Sequence, residues 1–217
     1  MSSGCETKIV LGFYKVTILR SLLWRCDLSK LSWALIGGGD GSQVGFAHRA
    51  AAQLDHNFSL VAGALDVDPD IARAFGISLG LESTKSYGSW QDMLDAEKNV
   101  EGKQRIDLVT VATPNSTHFE ITKEFLEAGF HVLCEKPLTM TVEEAQALVL
   151  IANTSNRICA VNYGYTGYPL VRQMRSMVLA GELGKIRLVV AEFAGGFMAD
   201  SADAENPRVK WRFSSKH

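Results

Sequence analysis

Residues 31–54 read LSWALIGGGDGSQVGFAHRAAAQL. A short apolar run enters a cluster of glycines, and an alanine-rich segment leaves it. Strand, glycine loop, helix is the context in which a G-x-G pair becomes informative. Glycine there lets the backbone turn tightly and approach a pyrophosphate, whose charge then faces the helix N-terminus. Gly37 and Gly39 supply the G-x-G start, with Gly38 between them. Ser42 stands where the third glycine is usual, and the next candidate is Gly45. The sequence therefore predicts a loop about three residues longer than the usual fingerprint. A flexible turn with no ligand is the alternative reading of the same glycines.

Working outward, FSLVAGAL (58–65) is a second strand that ends at Asp66. A carboxylate there can hydrogen-bond both ribose hydroxyls of an adenosine and repel a 2′-phosphate, which favours NAD and leaves NADP as the alternative. Asp66 or Asp68 could instead cap the next helix. Asp68 is the better cap, because Pro69 follows it at the first helical position. SWQDMLDAEKN (89–99) is a further helix, IDLVTVAT (106–113) a buried strand, and STHFEITKEFLEAG (116–129) a helix stopped by Gly129. FHVLCE (130–135) is a strand, TVEEAQALVLIANTS (141–155) a helix opened by the capping-box pair Thr141 and Glu144, and RICAVNY (157–163) the next strand. Short apolar strands alternating with helices predict a parallel sheet covered on both faces, a Rossmann-type doubly wound α/β fold over residues 31–161.

Residues 1–30 precede this pattern as an extension, and 162–217 follow it. YPLVRQMRSMVLAGELG (168–184) predicts a helix and KIRLVVAEFAGGF (185–197) a long strand, after which periodicity is lost. One helix and one strand cannot bury a core, so 162–217 is expected to be the start of an incomplete, open-sheet α/β second domain.

Composition narrows the function. The chain has 217 residues, 47% hydrophobic and 21% charged, with a formal net charge of −2, so no basic surface argues for nucleic acid. No stretch approaches the ~20 apolar residues of a membrane span. Cys5, Cys26, Cys134 and Cys159 lie far apart, which argues against a disulfide framework or a zinc site and suits a reducing compartment. The expected location is cytoplasmic. The basic, apolar stretch KIVLGFYKVTILRSLLWRC (8–26) keeps a mitochondrial presequence as a minor alternative.

In open α/β sheets ligands bind beyond the carboxyl ends of the strands. Glu135, Lys136 and Pro137 occupy one such end, and Thr113, Pro114 and Asn115 another. A lysine there can donate a hydrogen bond to a substrate hydroxyl or carbonyl oxygen and help move its proton. Glu135 can orient the lysine or the cofactor ribose, and Pro137 ends the strand and stiffens the turn, with a cis bond as one means. A strand end with a solvated ion pair is the plainer reading. Asn162, Tyr165 and Tyr168 follow the last strand and are candidates for the pocket floor, or an aromatic patch under the second domain. His48, His56 and His131 carry no motif and are expected at the surface or in packing. Cys134 is expected to be a buried thiol.

The stretch VTVATPNSTHFEITKEFLEAGFHVLCEKPLTMTVEEAQAL (109–147), with its T-P-N-x-x-H and E-K-P motifs, resembles the glucose-fructose oxidoreductase / inositol dehydrogenase (Gfo/Idh/MocA) family. The resemblance runs from about Leu31 to Phe193. It implies NAD(P)-dependent hydride transfer to or from a hydroxyl or carbonyl carbon of a sugar, cyclitol or related small molecule. It implies Lys136 as the catalytic lysine and Glu135 as a cofactor contact. Thr113, Asn115 and His118 would line the nicotinamide side, and a homo-oligomer would form through the C-terminal sheet. The family continues well beyond this length and carries a downstream aspartate–histidine motif, whereas the only histidine here after Phe193 is His217. A truncated oxidoreductase is therefore expected. A non-catalytic NAD(P)-binding sensor or partner subunit is the alternative.

Overall fold

A computed structural model describes residues 9–11, 30–54 and 56–194. The remainder of the N-terminal extension and the segment after Ala194 lie outside the described residues. Two compact units are present, Met1–Asn162 and Tyr163–His217.

The first unit is a parallel sheet covered by helices. Its elements are β1 (Ile9–Leu11), β2 (Leu31–Gly37), α1 (Gln43–Leu54), β3 (Phe58–Ala64), α2 (Pro69–Ser78), α3 (Trp90–Glu97), β4 (Leu108–Ala112), α4 (His118–Glu127), β5 (His131–Cys134), α5 (Val142–Thr154) and β6 (Cys159–Val161). The strand order is β1-β6-β5-β4-β2-β3, and all pairings are parallel. β2 is flanked by β3 on one side and β4 on the other, so the winding reverses at β2. That reversal opens the crevice in which such sheets hold ligands.

Alternation along β2 divides the core. Trp33 and Leu35 face one side with Leu65, packed by Ala52 of α1 and Phe75 of α2. Ala34 and Ile36 face the other, with Met93 of α3, Ile121 and Phe125 of α4 and Leu148 of α5. Strands buried on both faces need apolar residues at every position, which is why these strands are continuous apolar runs.

The helix ends follow local chemistry. Asp68 Oδ1 accepts from the amides of Asp70 (2.9 Å) and Ile71 (3.1 Å), with Pro69 opening α2. Thr141 and Glu144 form a complete capping box on α5. Gly129, at φ +84°, follows the C-cap of α4.

In the second unit, α6 (Pro169–Leu179) is the expected helix. The expected strand over 185–197 is not formed: residues 185–194 carry no strand, and 195–197 lie outside the described residues. A strand exists through its hydrogen-bonded neighbour, and none pairs with this segment among the described residues. Leu188, Val189, Val190 and Phe193 are exposed there.

Candidate active site at the carboxyl edge of the sheet

The glycine loop is shaped by bare backbone. Gly37 (φ +74°) and Gly38 (φ +68°) lie in the left-handed region, which only glycine adopts without strain. A side chain on Gly39 would run into the Leu65 carbonyl and come 3.2 Å from the Asp66 carboxylate. Three residues, Asp40, Gly41 and Ser42, separate Gly39 from α1. Ser42 accepts the Gly45 amide on its hydroxyl (3.0 Å) and the Phe46 amide on its carbonyl (2.9 Å), so it caps α1. Gly45 therefore sits in the first turn of α1, pressed against Gly38, where a Cβ would collide with the Gly38 carbonyl. It meets the need for close helix–strand packing from inside the helix. Arg49, one turn on, donates to the Gly38 carbonyl (2.7 Å).

Asp66 is half-buried just past β3, and its Oδ1 accepts the Asp68 amide (3.0 Å). Because Asp68 caps α2, Asp66 is not the cap. A bare-backbone loop, a helix N-terminus and a flanking carboxylate form a set that fits a dinucleotide: pyrophosphate at the loop and ribose at Asp66.

The other half of the edge is built from side chains. Thr113, Pro114 and Asn115 follow β4 and are each partly buried. Thr117 donates to the Pro114 carbonyl (2.8 Å) and lies 2.8 Å from Thr113 Oγ1, tightening this turn. Glu135 extends the β5 ladder, its amide donating to the Val111 carbonyl (2.9 Å). Its side chain is 10% exposed. Oε1 accepts from His48 Nε2 (2.8 Å) and Asn162 Nδ2 (2.6 Å), and Oε2 from the Lys136 amide (3.3 Å). Burial pushes the acid up, but the hydrogen bonds from His48 and Asn162, the charge on His48 and the Lys136 amide outweigh it. The net result is a value below the usual carboxylate range. An ionised carboxylate only accepts, so His48 Nε2 carries the proton in this contact.

Lys136 is exposed, and its ammonium has no hydrogen-bond or ion-pair partner among the described residues. The Lys136–Pro137 bond is cis. His118 is fully buried, with Nδ1 2.7 Å from the Pro137 carbonyl and Nε2 2.9 Å from the Thr113 carbonyl. It joins the T-P-N turn to the E-K-P turn. Any influence on a cofactor passes through those two turns, because both ring nitrogens are already engaged. Cys134 is buried, and burial pushes its thiol up to about 12, so it is no nucleophile.

The structure thus brings Gly37, Gly38, Gly39, Gly45, Asp66, Thr113, Pro114, Asn115, His118, Glu135, Lys136 and Asn162 to one unit and one sheet edge. Tyr165 and Tyr168 belong to the second unit, where their rings pack edge-on with centroids 5.3 Å apart. His48, expected at the surface or in packing, is 8% exposed, and its bond to Glu135 was not foreseen. One signal was present in the sequence: His48 lies three residues after Gly45, and these two are the buried residues of α1.

A glycine loop on a helix N-terminus at the reversal of a doubly wound parallel sheet defines a dinucleotide-binding domain. The family model described as "Oxidoreductase family, NAD-binding Rossmann fold" (Gfo/Idh/MocA) matches residues 31–163, and the chain belongs to that family. An uncharacterized oxidoreductase of Bacillus subtilis is 42% identical over 185 residues, covering 84% of this chain and 46% of that protein. The levoglucosan dehydrogenase of Pseudarthrobacter phenanthrenivorans is 33% identical over 187 residues, covering 86% and 45%. An inositol dehydrogenase homolog from Azotobacter vinelandii, solved in complex with NAD+, superposes with a TM-score of 0.81. It is 45% identical and covers 87% of this chain and 48% of that one. The same homolog in complex with NADH and myo-inositol gives 0.77 at 46% identity, covering 85% and 47%. The chain spans about half the length of the curated relatives it matches.

Proposed function

We propose that this chain is the cofactor-binding portion of an NAD-dependent oxidoreductase acting on a hydroxyl or carbonyl carbon of a polyol, a sugar or a cyclitol. The observation that carries the reading is Lys136. It is an exposed ammonium without a partner among the described residues, on a turn held by its two neighbours, at the carboxyl edge of a Rossmann sheet. The nicotinamide, when bound, supplies the hydride chemistry. Lys136 donates a hydrogen bond to the substrate oxygen and shares its proton as the carbon changes oxidation state. Thr113, Pro114 and Asn115 border the nicotinamide side. Asp66 takes the adenosine ribose hydroxyls and disfavours a 2′-phosphate, so NAD is preferred to NADP. The polyol class is supported by two relatives, the levoglucosan dehydrogenase and the homolog crystallised with myo-inositol.

Thermal unfolding of residues 1–217 with NADH, NADPH or neither tests this reading. Cofactor at about 100 times its Kd adds roughly 2.7 kcal/mol to a folded binder, so a clear upward shift with NADH and a smaller one with NADPH is expected. Equal shifts sink the role of Asp66; no shift sinks the cofactor reading. Lys136→Ala should leave the NADH shift in place. In an assay with a polyol substrate it should cost about 10²–10⁴ in rate, and full activity in that variant would remove Lys136 from the chemistry.

A further inference from the structure

Lys136 sits between two residues that are each held from a distance. On one side, His118 reaches the Pro137 carbonyl. On the other, Glu135 is held by its backbone ladder bond to Val111, by Asn162 from the end of β6, and by His48. Of these ties, His48 alone comes from α1, the helix whose N-terminus carries the glycine loop. It spans 87 residues of sequence to reach Glu135.

We infer that His48 is a positioning residue, which locks the Glu135 carboxylate so that the Glu135–Lys136 turn is presented to the nicotinamide half of the cofactor in one orientation. The inference rests on the cofactor reading above and extends it to a residue outside the E-K-P and T-P-N motifs. Three observations support it. The contact is short and sheltered, at 2.8 Å between side chains 8% and 10% exposed, so water does not compete for it. His48 and Asn162 converge on the same oxygen, Oε1, from two different elements, so the carboxylate cannot rotate without losing both. That rotation would also carry Oε2 away from the Lys136 amide, which is the backbone group that sets where the lysine side chain starts. A packing role alone would need none of this polarity, and an apolar side chain at position 48 would fill the space more cheaply.

The effect has a direction. Asp66 and the glycine loop contact the adenosine and pyrophosphate half, beyond β2 and β3. Glu135 and Lys136 lie beyond β5, on the other side of the sheet reversal. Loss of the His48 bond therefore weakens the nicotinamide half and spares the other. ADP-ribose, which lacks the nicotinamide ring, is the probe that separates them.

The experiment is a titration of the full 217-residue chain with NADH and with ADP-ribose. Wild type, His48→Leu and His48→Gln would be compared, since glutamine keeps an N–H near the place of Nε2. For His48→Leu the expected result is NADH bound about tenfold or more weakly, as for a lost hydrogen bond to a charge, with ADP-ribose changed by less than about twofold. His48→Gln should recover most of the NADH affinity. Equal losses of both ligands, or no loss of either, would show a structural role and overturn the inference. If His48→Leu does not fold, the imidazole resonances of His48 in wild type give the same answer. They should move on adding NADH and stay put on adding ADP-ribose, and an equal response to both overturns it. Wild-type protein that binds neither ligand refutes the cofactor reading itself, an outcome distinct from a wild type that binds both and a variant that does not discriminate.

Discussion

At the β2 end of the sheet edge the site is made of backbone, and at the β5 end it is made of side chains. The glycine loop depends on what is missing. Gly37 and Gly38 hold positive φ, and Gly45 lets α1 close onto Gly38. The Lys136 turn depends on what is brought in: a histidine from α1, another from α4, an asparagine past β6 and a carboxylate that binds two of them. Adding an atom should break the first end, and removing one should break the second.

The largest effect is expected from Gly45→Ala. Its new methyl group would meet the Gly38 carbonyl and the Gly38 Cα (2.5 Å), which are backbone atoms that cannot turn aside. Overpacking of this kind costs ~1–3 kcal/mol or more. Because the displaced atoms form the loop, NADH affinity should fall together with the melting temperature. Chemical denaturation with and without NADH checks both. A variant of unchanged stability would mean that α1 can shift outward without penalty, and the contrast between the two ends would disappear.

The side-chain end breaks differently. Glu135→Ala leaves the His48 and Asn162 donors facing a buried gap, for which ~1–3 kcal/mol is the expected cost. Acid provides a gentler probe. The Glu135 carboxyl lies below its ordinary 4.5 in the folded chain and at the ordinary value when unfolded. The unfolded chain therefore binds the proton first, and stability rises with pH through that window. The contribution is whole above 4.5 and is lost as pH falls through the lower folded value. Unfolding measured across acid pH should show this decline in wild type and a flatter profile in Glu135→Gln. Parallel profiles would mean that the carboxylate is not held as described.

The same contrast explains what a linear reading could recover. The strand–glycine–helix unit, the Asp68 cap and the Thr141–Glu144 box were legible because each is a bargain among near neighbours, within one turn of helix or one loop. E-K-P and T-P-N were legible as strand ends. Their joining by His118, and the role of His48, were not. Those contacts close only after the sheet has formed, and a histidine on a helix has no local mark of its distant partner. Ser42, read only as the position where a glycine was missing, is the cap that starts α1. Residues 185–194 have the apolar run of a strand without a pairing partner among the described residues, because pairing is the part of a strand that its own sequence does not contain.

The smallest effect is the control that gives the others meaning. Asp68 caps α2 with two amides on one oxygen, and its side chain is exposed. Asp68→Ala should cost ~1 kcal/mol of stability, the usual value of an N-cap. Asp66 is two residues away and touches Asp68 only through the latter's backbone amide, which alanine retains. NADH affinity should therefore hold while the melting temperature falls slightly. A fall in affinity as large as that of Gly45→Ala would mean that any loosening of the β3–α2 corner reaches the cofactor. In that case neither the loop nor the Lys136 turn could be treated as an independent end of the site, and the ADP-ribose comparison for His48 would need to be made against this variant rather than against wild type alone.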